Sequence, residues 1–240
     1  HTSNYKVVGF TESVDVKDIV QIAKKNRIPL FLDLGSGALI NYEKHNLPKE
    51  KILQKYIRMG IDIISFSGDK LLGGPQSGII CGKKTLINKI HSNSMYRALR
   101  CDKLTISLME ATLRTYINEN TVNDKNLTFK LLVRSRKELE KIGKNILKTL
   151  NKKIIKQYNI TLISSTVQAG SGSLPIENIE SMALVFNSEN SKPSKISKLL
   201  RNSCIPTIGY IKANKFYIDL KAISKDQIKK LVKSIEHCLV

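Results

Sequence analysis

Negative charge is what this 240-residue chain has least of: 20 Asp and Glu stand against 40 Lys and Arg, a formal net charge of +20. Such an imbalance favours polyanionic partners, RNA above all, because each neutralised phosphate releases counterions. Long apolar runs are absent as well. No stretch approaches the roughly 18 consecutive apolar residues that a membrane-spanning helix needs, so a helical span is excluded. The cysteines are few and scattered: Cys81, Cys101, Cys204 and Cys238 form no C-x-x-C pair. That spacing argues against a disulfide frame or a zinc site and predicts reduced thiols in a cytoplasmic protein, with no metal bound. Internal repeats and low-complexity tracts are also missing. The sequence opens at His1 rather than Met and runs straight into strand-like residues, which predicts a piece of a longer protein.

What is present is a regular alternation. An extended segment, Lys6–Phe10, precedes an amphipathic helix over 15–26, where Val16, Ile19, Val20 and Ala23 recur at helical spacing. The short strand Leu30–Leu32 leads into Asp33-Leu34-Gly35-Ser36-Gly37, and a helix over roughly 49–59 precedes a strand at 61–66. Alternation at this spacing predicts βαβ units and a mostly parallel sheet with helices on both faces. Helices are expected from Leu104 to Ile117 and over about 127–150, the basic residues of the latter (Lys130, Arg134, Arg136, Lys137) forming a solvated face. Beyond residue 151 the pattern is that of a smaller α/β unit. Its parts are strands at 158–168 and 182–187, a flexible turn at Ala169–Pro175, a helix around Ile196, and a hairpin of 206–211 with 215–220. The final helix is headed by a Ser224/Gln227 capping box. The expected division is 1–122 as part of a large domain, 123–150 as a linking helix and 151–240 as a small C-terminal domain.

The stretch with most chemistry is 61–80. An apolar run from Ile61 to Phe66 ends in Ser67-Gly68-Asp69-Lys70, two glycines and a proline forbid regular continuation, and a second apolar run starts at Gly78. Lys70 is thereby placed on a sharp turn between two strands expected to be buried. A lysine amine held in a pocket tends to lose its proton and becomes a nucleophile towards carbonyls, as Schiff-base enzymes require. Asp33 ends a strand upstream of that lysine, the relation by which aminotransferase-type enzymes pair a carboxylate with the protonated pyridine nitrogen of pyridoxal 5′-phosphate (PLP). Both residues stand at carboxyl ends of strands, where ligands gather in such sheets. Ser67 can turn its hydroxyl towards a phosphate. Arg97 and Arg100, three apart, share a face on a helical turn, and two guanidinium forks suit a tetrahedral oxyanion. Each of these residues has an ordinary alternative as a surface lysine, a strand-end aspartate or a salt-bridged arginine.

Ser-Gly-Asp-Lys-Leu-Leu-Gly-Gly-Pro-Gln (67–76), with His-Thr-Ser-Asn (1–4) before it and Arg-Ala-Leu-Arg-Cys-Asp-Lys-Leu-Thr (97–105) after it, resembles bacterial selenocysteine synthase, the L-seryl-tRNA(Sec) selenium transferase family. Asp33–Gly37, Glu110–Arg114 and Pro206–Gly209 match the same pattern. The resemblance covers essentially the whole chain but only the second half of the family's longer sequence. It implies the second half of a PLP-dependent transferase large domain of fold type I, followed by a small α/β domain. It also implies that Lys70 carries PLP as an internal aldimine, that Asp33 pairs the pyridine nitrogen, and that Asn4 hydrogen-bonds the phenolic oxygen. Asp69 would assist proton transfer, and Arg97 with Arg100 would hold selenophosphate. The implied reaction converts seryl-tRNA(Sec) to selenocysteinyl-tRNA(Sec) by β-elimination to an aminoacrylate and addition of selenium, within a homo-oligomeric ring of dimers. The chain alone would be inactive. One departure from the family pattern is the turn Ala169-Gly170-Ser171-Gly172-Ser173, where the family has Gly-Gly-Gly-Ser. Two other readings stay open on the residues: a related PLP enzyme acting on a small amino-acid or sugar-acid substrate, and a cofactor-free RNA-binding remnant.

Overall fold

The structure, a computed structural model, describes residues 9–50, 52–169 and 178–239. Asn4, the segment Lys6–Val8 and most of the turn at 170–175 lie outside them. The described residues fall into two compact units. One runs to Val133, with Gln168 and Ala169 counted to it, and the other comprises Arg134–Val167 and the residues from Asn178 on.

In the first unit, helix α1 (Val16–Asn26) is capped by the Asp15 carboxylate, which accepts from the Lys17 N–H, and ends where Arg27 turns left-handed at φ 57°. Strand β1 (Phe31–Gly35) is followed by α2 (Leu53–Met59), stopped by Gly60 at φ 107°, then by β2 (Ile63–Ser67) and β3 (Gly78–Gly82). These strands form one sheet in the order β1-β2-β3. β1 and β2 are parallel because α2 supplies the crossover between them, whereas β2 and β3 are antiparallel because residues 68–77 contain no helix and cannot cross over. The expectation of two buried strands flanking Lys70 needs correction. β2 alternates half-buried Ile63, Ser65 and Ser67 with buried Ile64 and Phe66, and β3 alternates exposed and half-buried residues throughout. Five-residue apolar runs hide such alternation when isoleucine occupies both faces.

Helices α3 (Lys84–His91), α4 (Ser94–Leu99), α5 (Lys103–Thr115), α6 (Val122–Lys125) and α7 (Leu127–Leu132) complete the first unit. Its core joins Val20, Leu34, Leu53, Tyr56, Ile64, Phe66, Leu72 and Met109. Of the apolar stripe expected over 104–117 only Met109 is buried, while Leu104 on α5 and Ile117 beyond its end are 69% and 77% exposed.

Asp62 fixes the entry to β2. Its carboxylate accepts from the Lys83 ammonium at 2.5 Å and from the Leu30 N–H at 2.7 Å, and these hydrogen bonds hold its pKa below the usual aspartate value. A depressed carboxylate pKa stabilises the fold above the unfolded-state value near 4, and the gain is lost as pH falls through the folded-state value. Lys83 is 66% exposed, so solvent screens the pair. Asp62→Asn should therefore cost only about 1 kcal/mol at pH 7 by chemical denaturation, with the difference from wild type closing below about pH 4.

In the second unit, α8 (Arg136–Thr149) and α9 (Lys152–Gln157) lead to β4 (Ile160–Val167) and β5 (Ile179–Phe186). Then come α10 (Pro193–Arg201), the hairpin β6 (Tyr210–Lys212) and β7 (Lys215–Asp219), and α11 (Ile228–Cys238). The sheet is antiparallel in the order β4-β5-β7-β6. Ala213 and Asn214 turn the hairpin at φ 46° and 55°, the double left-handed conformation of a two-residue type I′ turn. Ser224 and Gln227 form the expected capping box ahead of α11. Leu139, Ile142 and Ile146 on α8, Ile196 and Leu200 on α10 and Leu231 and Ile235 on α11 close the core with Leu184, Phe186 and Phe216 of the sheet.

The single helix expected over 127–150 is interrupted. α7 stops at Leu132, and Ser135 caps α8 by accepting from the Glu138 N–H. Arg134, expected on a solvated face, is instead only 7% exposed. Its Nη1 donates to the carbonyls of Leu220, Lys221 and Ile223, the last at 2.6 Å, and the Lys221 ammonium donates to the Arg134 carbonyl at 2.6 Å. Burial pushes the Lys221 pKa down. Local sequence cannot distinguish this arginine from its solvated neighbours, because its partners lie some 87 residues downstream.

Candidate active site

Register places the polar residues of the sheet on one face. Asp33 of β1 pairs with Ser65 of β2, and Ser67 lies two residues further along β2, so all three project from the same side, opposite Leu34, Ile64 and Phe66. The Ser65 hydroxyl donates to Asp33 Oδ1 at 3.0 Å. Asp33 does not end its strand, as the sequence suggested. It sits within β1, which continues to Gly35, and it is exposed.

Ser67 closes β2, and Asp69 and Lys70 follow directly, Asp69 exposed and Lys70 half-buried. Backbone hydrogen bonds close the loop on itself. The Gly68 N–H donates to the Ser77 carbonyl (2.9 Å), the Gly74 N–H to the Gly68 carbonyl (2.8 Å) and the Gly73 N–H to the Lys70 carbonyl (3.0 Å). A methyl group on Gly68 would lie 2.3 Å from Met109 Cε and 2.5 Å from Ser77 Oγ, and Gly73 sits at φ +71°. The glycines are therefore needed for close approach and for a left-handed turn.

Leu71 and Leu72, next after Lys70, are each 1% exposed and anchor the loop in the core. Their carbonyls are also tied. Tyr42 Oη donates to the Leu71 carbonyl at 3.1 Å, Tyr116 Oη lies 3.0 Å from the Leu72 carbonyl and 3.3 Å from that of Leu71, and Asn126 Nδ2 donates to the Leu72 carbonyl at 3.1 Å. Burial raises the Tyr116 phenol to about 12 and that of Tyr42 well above its ordinary value, so both remain protonated donors at neutral pH. Asn126 also caps α7 by accepting from the Phe129 N–H at 2.9 Å. Sequence reading found none of Ser65, Tyr42, Tyr116 and Asn126. The position of Asn126 ahead of Leu-Thr-Phe could have revealed the cap, but nothing local reveals its reach to Leu72.

Arg97 lies in the last turn of α4 and Arg100 is its C-cap, already extended at φ −64°, ψ 143°; both are exposed. The expected helical face is thus shared only up to the helix end. Asp102 fixes the exit by capping α5: it accepts from the Thr105 N–H and hydroxyl, each at 2.9 Å, which lowers its pKa. Arg100 lines a cleft of about 1070 Å³ together with Gly78, Ile80, Tyr96, Met109 and Arg114. Ile80 pairs with Ser65 across β2 and β3, so this cleft adjoins the sheet face that carries Asp33.

The donor set fits PLP. An amine suited to an aldehyde follows β2, a carboxylate suited to a pyridinium stands on the neighbouring parallel strand, and a hydroxyl suited to a phosphate lies on the same face as that carboxylate.

Comparison with known proteins identifies a family. The family model described as L-seryl-tRNA selenium transferase matches residues 1–224. The L-seryl-tRNA(Sec) selenium transferase of Escherichia fergusonii is 39% identical over 229 residues, which cover 94% of this chain and 50% of that protein. The protein of the same name from Actinobacillus pleuropneumoniae serotype 7 is 40% identical over 237 residues, 98% of this chain and 51% of that protein. The chain spans about half the length of the curated relatives it matches. Among solved structures, D-glucosaminate-6-phosphate ammonia-lyase superposes with a TM-score of 0.58 at 18% identity, over 95% of this chain and 53% of that one. The α/β class expected from the sequence is the class found, although only β1 and β2 pair in parallel where a mostly parallel sheet was expected.

Proposed function

The chain belongs to the L-seryl-tRNA selenium transferase family, and from that membership and the site's geometry we propose that it is the lysine-bearing half of an enzyme converting seryl-tRNA(Sec) to selenocysteinyl-tRNA(Sec) with selenophosphate. One observation carries the reading: Lys70 sits in a closed glycine loop at the carboxyl end of β2, beside a parallel strand that presents Asp33 on the open sheet face.

In this reading Lys70 would hold PLP through its Nζ, Asp33 would hold the ring nitrogen and Ser67 would contribute to the phosphate site, while the resemblance alone assigns the phenolic oxygen to Asn4, which lies outside the described residues. Bound there, PLP supplies an electron sink for charge developing at the serine α-carbon. Asp33, kept in place by the Ser65 hydroxyl, keeps that nitrogen protonated. The Lys70 amine would carry the α-proton, with Asp69 assisting as an adjacent carboxylate. Overall, the serine β-hydroxyl and α-proton leave as water, selenium from selenophosphate bonds to the β-carbon, water cleaves the P–Se bond and carries the phosphoryl group away as orthophosphate, and a proton returns to the α-carbon. Arg97 and Arg100 hold the phosphate end of the donor in charge-assisted hydrogen bonds. The +20 charge suits a tRNA substrate. The enzyme works in the cytoplasm as a homo-oligomeric ring of dimers. Among the described residues no helix is long and apolar enough to cross a membrane.

The test is to supply the full-length protein with PLP, seryl-tRNA(Sec) and selenophosphate and to identify the aminoacyl group after deacylation. Selenocysteine is the expected product. Recovery of serine alone from a PLP-loaded, folded protein would contradict the assignment.

A further inference from the structure

We propose that Tyr116 and Asn126, with Tyr42 in support, are positioning residues for Lys70: they clamp the two carbonyls that follow it and thereby set its readiness to capture PLP. The inference rests on the reading of Lys70 given above.

The loop is tight, but it belongs to neither strand, so the sheet ladder does not fix where Lys70 points. Three backbone hydrogen bonds close it on one side. On the other side the Leu71 and Leu72 carbonyls are buried and would be left without partners unless side chains reached them, and an unpaired buried carbonyl costs about 1–3 kcal/mol. The side chains that reach them come from three separate places in the chain. Tyr42 precedes α2, Tyr116 is the C-cap of α5, and Asn126 stands between α6 and α7. Asn126 Nδ2 also lies 3.4 Å from both Tyr116 Oη and Thr115 Oγ1, so the Tyr116 and Asn126 contacts form one connected group. The Gly73 N–H returns to the Lys70 carbonyl itself, so displacement of Leu72 and the turn that follows moves the lysine backbone. Tyr42 and Asn126 are further joined through Phe129: the Tyr42 ring meets it edge-on at 5.8 Å, and Asn126 accepts from its N–H. This arrangement holds Lys70 through the main chain that follows it.

Two substitutions separate positioning from mere stability. Tyr116→Phe keeps the ring and removes the hydroxyl. Asn126→Asp keeps the oxygen that caps α7, a position aspartate fills equally well, and removes the donor to Leu72. Both are made in the full-length protein, with Asp62→Asn as a control that weakens the same unit away from the loop. PLP affinity is read by equilibrium dialysis, thermal stability without PLP by calorimetry, and exchange of the Gly73 and Gly74 amide hydrogens by mass spectrometry. Each loop variant should bind PLP about tenfold more weakly, the worth of one buried hydrogen bond, and should exchange those amides faster. The control should melt lower than wild type yet bind PLP with wild-type affinity. Loop variants that lose thermal stability but keep wild-type PLP affinity would overturn the positioning role and leave a structural one. If wild type itself takes up no PLP, the reading of Lys70 fails, and the amide exchange still reports whether the clamp holds the loop.

Discussion

Lys70→Ala in the full-length protein is expected to lower selenium transfer by about 10⁴-fold or more, with the fold retained. General acid–base catalysis by a positioned group contributes about 10²–10⁴-fold, and Lys70 is also asked to hold the cofactor, so both contributions vanish together. The fold should survive because Lys70 is half-buried rather than enclosed, and the loop is closed by main-chain hydrogen bonds that alanine keeps. Comparison of turnover and melting temperature between wild type and variant checks both halves. A variant retaining a tenth of wild-type turnover would contradict the role.

The second large effect is expected at α4. Arg97→Ala and Arg100→Ala should each lower selenium transfer by about 10–100-fold, and the double variant by about 10³-fold, while PLP uptake at Lys70 is unchanged. Charge-assisted hydrogen bonds to an oxyanion are worth about 1.5–3 kcal/mol each, and both arginines are exposed, so little stability is at stake. Lysine substitutions should restore only part of the activity, since an ammonium offers no planar fork. Steady-state kinetics at varied selenophosphate, beside PLP absorbance, checks the split. Loss of PLP uptake in either variant would move the arginines from donor binding to cofactor binding.

Sequence conveyed the local devices and missed the distant ones, for reasons that are physical. The helix expected over 15–26, the capping box at Ser224 and the glycine turn after Lys70 depend on neighbouring residues and form where pattern placed them, whereas the hairpin turns at Ala213–Asn214 with a first strand of only Tyr210–Lys212 in place of 206–211. Asp33 and Ser67 were read from the sequence as candidate site residues, but only parallel pairing of β1 with β2 puts them on one face and brings in Ser65. The mistaken burial of both strands around Lys70 arose because isoleucine and cysteine fill both faces of β3. Arg134 was assigned to solvent because its carbonyl partners belong to residues 220–223. The clamp on Leu71 and Leu72 draws on residues 29 to 54 positions away in the chain, a separation at which a single sequence carries no pairing signal.

The central claim is that Lys70 is the residue that carries PLP. The most direct measurement incubates the full-length protein with PLP, reduces it with borohydride and maps the modified peptide by mass spectrometry. The account predicts a phosphopyridoxyl group on Lys70 in the peptide containing Ser-Gly-Asp-Lys-Leu-Leu-Gly-Gly-Pro. An unmodified Lys70 in a folded protein, or a label confined to another lysine, would contradict it.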